Sequence, residues 1–298
     1  MHKKFFNYAL RIAHYALLLT ILFVSGNTCE ATEWYWLDSN DKYSKYFDPD
    51  SVTVTKKIVT NEGKEVAIEI EAWTKTTYSY EGAAETIKNY NISNVLPDPN
   101  SLSYSLALLR INPQDRKLQY IREDFYNPKE EVIWSKAEGR SKEITSQTFD
   151  EEFYCAIVDE VFQMGERDRK RAPSSERWLE LWTYTDADGI TTSLSADTTT
   201  MRLRGANLIL WEWQVTKNTA GKTTEIRFVK KSINLTQGTE LINGGQVWTP
   251  TNAWKELKDE YGGNYRMIAS DEPDYKGLVR LRAYVKNNMN WVTRYSLE

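Results

Sequence analysis

The chain has 298 residues, 27% of them charged and 13% aromatic, with a net charge of −4 and only 2 His and 2 Cys. Both histidines, His2 and His14, lie near the N-terminus, so the rest of the chain has no imidazole for a Ser-His-Asp or Cys-His nucleophile. Cys29 and Cys155 are the only thiols, which also excludes zinc sites built on His or on paired Cys beyond residue 31.

Lys3, Lys4 and Arg11 precede an apolar run from Tyr15 to Val24, and small or polar residues follow. This is the pattern of a secretory signal peptide, with cleavage expected after Ala31 or after Gly26. A membrane-spanning helix needs roughly 20 apolar residues, and Arg11 and His14 interrupt this run. The Gly26-Asn27-Thr28 stretch before Cys29 is a poor lipobox. Residues 1–31 hold Lys3, Lys4, Arg11 and Glu30, so removing them turns the net −4 into −6. That balance argues against nucleic acid or an anionic membrane surface as partner. No later stretch is apolar enough to span a bilayer, and Cys155 alone cannot form an intrachain disulfide. All 11 Trp lie beyond residue 31, so the exported part can build a core and is not disordered.

Past the leader, strands dominate. Val66–Thr74 alternates, with Val66, Ile68, Ile70 and Ala72 on one face. Tyr80–Ser103 holds a short helix around Glu81–Tyr90 and a Pro-containing loop. Tyr104–Ile111 and Leu118–Phe125 are strands joined across the turn Asn112-Pro113-Gln114-Asp115, and Glu131–Ser135 follows a turn at Asn127-Pro128. A helix is expected near Phe149–Met164. Thr148 and Glu151 read as its capping box, Phe149, Phe153, Ile157 and Val161 line one face, and Gly165 ends it. Residues 166–175 are charged, then Pro- and Ser-containing, and read as a linker.

Beyond the linker the order of events recurs. Trp36-Leu37-Asp38 and Tyr46–Val52 are answered by Trp182–Asp186 and Ser193–Thr199. The Trp73 strand is answered by Asn207–Lys217, with Trp211 and Trp213, and Val132–Ser135 by Gln246–Thr249 after Thr224–Ser232. The pattern predicts a degenerate duplication, with Trp134 the counterpart of Trp248 and a mainly helical tail after each copy. The expected fold is α+β: two tandem antiparallel β-sheet domains, 32–165 and 176–298, each with a packed helix.

The first half resembles the surface-adhesin protein E-like domains of diderm bacteria. The resemblance lies in a YFDPDS-type segment at Tyr46–Ser51, a strand ending in Trp73-Thr74-Lys75, then Tyr104–Tyr120 (YSLALLRINPQDRKLQY) and Glu131–Ser135 (EVIWS). It covers most of residues 34–162 and implies exported antiparallel sheets with a packed helix, in some members associated with adhesion to host molecules. The cysteine often found at the turn after the YSL strand is replaced here by Asn112 and Pro113. No binding residue is carried over.

Candidate sites have competing structural readings. Asp186-Ala187-Asp188-Gly189 resembles the start of a calcium loop but lacks the later ligands, and suits a hairpin turn. Asp38–Asp41 and Asp48–Asp50 read as acidic turns. Glu151 and Glu152 could do acid–base work on a sugar, yet the first turn of a helix favours acidic residues through its dipole. Trp34, Trp36, Trp178 and Trp254 lie nearest segment ends and are the tryptophans expected to be exposed. Cys155 is expected to be a buried, inert thiol. Asn91 and Asn234 open glycosylation sequons. No catalytic residue, cofactor or metal is expected. The sequence is best read as a non-enzymatic cell-envelope or surface protein, adhesin-like, meeting a protein or other host or envelope macromolecule through its sheets. The alternative is a small-molecule or glycan binding module with an aromatic-lined site between sheet and helix.

Overall fold

Period-two alternation is the main signal along the chain, and strands fill the computed structural model, which describes residues 33–145, 148–163, 170–171, 174–257 and 263–297. The fold is α+β, with two eight-stranded antiparallel sheets and a few helices. The first sheet holds β1 (Tyr35–Ser39), β2 (Tyr43–Phe47), β3 (Thr53–Val59), β4 (Glu65–Tyr78), β5 (Tyr104–Asn112), β6 (Lys117–Tyr126), β7 (Val132–Ala137) and β8 (Lys142–Glu143). Its order is β1-β2-β4-β5-β6-β7, with β3 beside the first half of β4 and β8 beside the start of β6.

The second sheet holds β9 (Trp178–Thr185), β10 (Thr191–Asp197), β11 (Arg202–Arg204), β12 (Asn207–Lys217), β13 (Thr223–Asn234), β14 (Thr239–Thr249), β15 (Ala253–Glu256) and β16 (Arg266–Met267). Its order is β9-β10-β12-β13-β14-β15, with β11 beside β12 and β16 beside β14. Strand for strand, this is the arrangement of the first sheet. The irregularities match too. A β-bulge falls between Leu108 and Leu109 where β5 meets β6, and between Lys230 and Lys231 where β13 meets β14. After β2, Asp48 accepts from Asp50 N–H, Ser51 Oγ donates to Asp48 O, and Trp73 N–H donates to Ser51 Oγ. After β10, Asp197, Thr199, Thr200 and Trp211 repeat these bonds. Trp73 and Trp211 therefore hold the same sheet position.

The helices are α1 (Tyr80–Asn89), α2 (Glu151–Phe162), α3 (Pro273–Asn287) and the short α4 (Met289–Val292). On β5, Ser105, Ala107, Leu109 and Ile111 face the core, paired across the bulge with Phe125, Glu123, Tyr120 and Leu118 of β6. Helix α2 buries Phe153, Tyr154, Ile157 and Val158 against the Leu109–Ile111 end of that face. Each such large apolar side chain contributes roughly 1.5–3 kcal/mol on leaving water. Helix α3 buries Leu278, Leu281 and Val285 against Leu181, Leu208 and Leu210 of the second sheet.

Several expectations are corrected. The helix after Thr148 starts at Glu151 on an Asp150 N-cap with no side-chain cap bond; Thr148 Oγ1 donates instead to Thr145 O, so there is no capping box and Phe149 lies outside the helix. The last helical residue is Phe162, followed by Gln163 in the left-handed region; Gly165 lies outside the described residues, as do the whole leader, residues 1–31, and 166–169 and 172–173 of the linker. Trp134 stands on the seventh strand of its sheet and Trp248 on the sixth of the other, so these two are not counterparts; by register Trp248 answers Tyr126.

Residues Trp34–Glu298 form one compact unit. The two sheets meet at a buried ionic junction, where Glu151 receives Arg116 at 2.6 Å and Arg177 at 3.1 Å, and Arg177 also reaches Asp197 at 3.0 Å. Arg116 takes a left-handed φ of 51° in the β5–β6 turn, at the place where Gly238 takes 69° in the β13–β14 turn. A side chain with a Cβ is disfavoured there, and the bonds to Glu151 and to Ile144 O hold it in place. The chain then returns: Tyr295, beyond α4, packs into the core of the first sheet against Phe162.

Candidate functional site

The two sheets differ most in what covers them. Helix α1 and the loop to Ser103 are an insertion with no element at the matching place, between β12 and β13, where Asn218–Lys222 close a short hairpin. Ser79 caps α1 by accepting from Gly82 N–H, and its own N–H donates to Lys42 O in the β1–β2 turn. The helix buries Ala83, Thr86 and Ile87, and Ile92, Leu96 and Leu102 follow, against Phe125, Tyr90 and Trp134. Because α2 covers the other end of the same sheet face, a gap remains between the two helices.

That gap is a cleft of about 400 Å³. Its walls are the rings of Tyr43, Tyr78, Tyr90, Tyr120 and Phe149; Glu123 and Asp150 lie among them, with Lys136, Arg140 and Lys142 from the β7–β8 segment. The rings support one another edge to face: Tyr43 against Tyr78 at 6.0 Å and against Phe149 at 5.1 Å, and Tyr90 against Phe125 at 5.2 Å. Such pairs add roughly 0.5–1.5 kcal/mol beyond their area.

Glu123 is 6% exposed. Burial pushes its carboxyl from the usual 4.5 up to about 7; the Tyr90 and Ser105 hydroxyls pull the other way, the Asp150 charge adds to the rise and Lys136 opposes it. Tyr90 donates to Oε2 and Ser105 to Oε1. Asp150 accepts from Tyr120 at 2.7 Å and pairs with Lys142. Burial, followed by the neighbouring carboxylates, drives the Tyr78, Tyr90 and Tyr120 hydroxyls well above their ordinary range, so they stay protonated donors. The cleft thus offers flat apolar faces, fixed hydroxyls and, with Glu85 of α1 beside Glu123 and Asp150, three carboxyls facing three cationic side chains. A neutral ligand rich in hydroxyls matches that set. Register shows why the second sheet has no such site: Gly245 stands at the position of Glu123, and Ile242 at that of Tyr120.

The residues singled out from sequence fall elsewhere. Asp186–Gly189 closes the β9–β10 hairpin, with Gly189 at φ 76° and Asp186 accepting from Asp188 and Ile190 N–H. Asp48 caps the 3-10 turn Pro49–Ser51. Glu151 is the hub of the ionic junction, and Glu152 pairs with Lys45 at 2.8 Å. Cys155 is buried and is in no disulfide. Trp36 and Trp254 are 55% and 45% exposed, while Trp34 and Trp178 are half-buried. On the face of the second sheet opposite Leu208 and Leu210, Trp211 stacks on Phe228 at 4.5 Å and Trp213 lies between Trp178 and Trp254. Among the described residues no group of three His, Cys, Asp or Glu side chains could hold a metal, and no helix is long and apolar enough to cross a membrane.

Glu123 and the tyrosine cluster were missed by sequence reasoning. The available signal was an acidic residue at an inward-facing position of a strand, opposite Ala107, beside an insertion peculiar to one copy. No protein-family model and no curated protein matches this chain, so the resemblance to surface-adhesin protein E-like domains rests on its quoted motifs alone.

Proposed function

We propose that the chain is an exported, non-enzymatic binding protein that holds a carbohydrate, or a similar neutral polyhydroxylated molecule, in the cleft between α1 and α2. The observation that carries this reading is the buried Glu123 inside a wall of tyrosines. Its volume of about 400 Å³ is in the range of small-molecule sites. Both Glu123 oxygens and both Asp150 oxygens already take internal partners, which favours fixed recognition over proton transfer. The leader at residues 1–31 supports export. The matching strand orders, bulges and turn bonds support a duplication in which only the first copy acquired the cleft.

The test is titration of the purified protein with a panel of mono- and oligosaccharides, followed by intrinsic fluorescence and calorimetry. A saccharide should bind, and Tyr90→Phe and Glu123→Gln should weaken it at least tenfold while leaving the far-ultraviolet spectrum unchanged. No binding across the panel, or binding indifferent to both substitutions, overturns the site. Release of reducing ends from the bound sugar would replace the non-enzymatic reading with a hydrolytic one.

A second reading rests on the half-exposed aromatic face of Trp211, Trp213, Phe228 and Trp254. Aromatics of this kind are enriched at protein interfaces, and they support contact with an envelope or host protein through the sheet. Replacing Trp213 and Trp254 by Ser should abolish such an interaction and leave saccharide binding intact.

A further inference from the structure

We propose that Lys231 and Glu240, on the α3 side of the second sheet, become joined by a side-chain amide bond that the protein forms by itself, with Glu212 as the proton carrier. The reaction is separate from the α1–α2 cleft and does not depend on it.

Three ionisable side chains stand on neighbouring strands of that face: Glu212 on β12, Lys231 on β13 and Glu240 on β14, 2%, 9% and 1% exposed. The first copy shows that the fold does not need them. By register, Lys231 answers Leu109, each the residue just after the β-bulge, while Glu240 answers Leu118 and Glu212 answers Thr74. Two leucines and a threonine bonded to Ala107 O thus fill the same three positions in the first sheet. Burying ions strips them of water, and replacing a buried ion cluster by apolar residues is often neutral or stabilising. The second copy keeps a cluster that the same fold does without, which points to a use other than folding.

The geometry supplies each part of a condensation. Lys231 Nζ donates to Glu240 Oε2 at 2.9 Å and lies 2.9 Å from Glu212 Oε2. Arg266 Nη2 pairs with Oε1, the other oxygen of Glu240, and is itself held by Asp274 at 2.9 Å. The nitrogen therefore touches an oxygen of the carboxyl it attacks, and fixed contact replaces a chance encounter. Burial opposes the Lys231 ammonium, but the Glu212 and Glu240 charges overcome it, so the reaction starts from the ammonium. Burial lifts the Glu212 carboxyl above its usual value, which suits it to take a proton from Nζ. Glu212 passes that proton to Glu240 Oε2. The freed electron pair of Nζ attacks Cδ, and Arg266 stabilises the charge that develops on Oε1. A second proton follows the same route, the Cδ–Oε2 bond breaks, and Oε2 leaves as water. The third proton stays on Nζ as the amide N–H, and Oε1 becomes the amide carbonyl. One ammonium and one carboxylate give one amide and one water, with no oxidant or co-reactant.

Tryptic mass mapping of the full chain tests this. Trypsin does not cut after an acylated lysine, so the expected product is the peptide Lys231–Lys255, one water lighter than its sequence, with fragment ions placing the link between Lys231 and Glu240. Glu212→Gln keeps the side-chain volume but cannot carry the protons. Its map should show cleavage after Lys231 and the unlinked peptide Ser232–Lys255 at full mass, with the far-ultraviolet spectrum of the parent. The parent map decides alone if that variant does not fold. Ser232–Lys255 at full mass from the parent overturns the proposal. So does a lost water that maps to other residues, or a link retained in Glu212→Gln.

Discussion

At the scale of single residues, Glu123 gives the stability of the chain a pH dependence. Its carboxyl titrates near 7 in the folded chain and near 4.5 in the unfolded one. Between those values the folded state binds more protons, so stability falls as pH rises through this window and is level above it. A rise of this size corresponds to about 3 kcal/mol. Glu123→Gln carries no such titration and keeps a partner for the Tyr90 and Ser105 hydroxyls. In urea unfolding, the variant should gain on the parent by about 3 kcal/mol between pH 4.5 and pH 8. A parallel pH dependence of the two proteins would show that Glu123 ionises like an exposed carboxyl. The same substitution separates fold from function, since it stabilises the chain at pH 8 while weakening the proposed saccharide binding.

At the scale of elements, α1 exists to close the cleft, and one glycine lets it dock. An added Cβ on Gly82 would collide with the carbonyl oxygen of Lys42, and that oxygen already accepts from Ser79 N–H. Gly82→Ala should therefore cost about 1–3 kcal/mol, as overpacking of a tight contact does, despite the better helix propensity of Ala. Melting temperature checks the cost, and hydrogen exchange should show the loss of protection concentrated in residues 80–90. Unchanged exchange there would mean that α1 tolerates the shift. This helix and strands β5 and β6 were legible in the sequence to within a residue at each end, because period-two alternation and turn residues are local signals, whereas β4 runs four residues past the expected Thr74 and β7 two past Ser135. The capping box at Thr148 and Glu151 failed because Glu151 is drawn to Arg116 and Arg177, contacts made across the fold. The pairing of Trp134 with Trp248 failed for a related reason: similar letters do not count strands, whereas bulges and turn bonds do. The cleft was only half legible, since the insertion stood out but its tyrosines and Glu123 converge from four separate segments.

At the scale of the whole molecule, the two sheets are tied together by contacts that resist separation. The buried Glu151 joins Arg116 of the first sheet to Arg177 beside the second, Arg204 pairs with Asp115 at 2.7 Å, and Lys230 pairs with Glu143 at 2.6 Å. Tyr295 carries the end of the chain back into the first core. The linker reading places trypsin sites at Arg167–Arg171, between the halves. Light trypsin treatment should cut there and leave two large fragments, and because of the junction these should still elute together at the size of the intact chain. Unfolding of the uncut protein should be a single transition. Glu151→Gln leaves Arg116 and Arg177 buried with their shared counter-ion gone, a change that costs about 3–5 kcal/mol out of a typical 5–15. In the nicked protein, where no peptide bond holds the halves together, that loss should appear as dissociation: the Glu151→Gln fragments should elute separately under conditions in which the parent fragments stay paired. Lys45→Met, which removes the partner of the half-exposed Glu152, should cost less and leave the pair intact. Parent fragments that separate on cutting would show instead that each sheet holds its own domain and that the ionic junction contributes little.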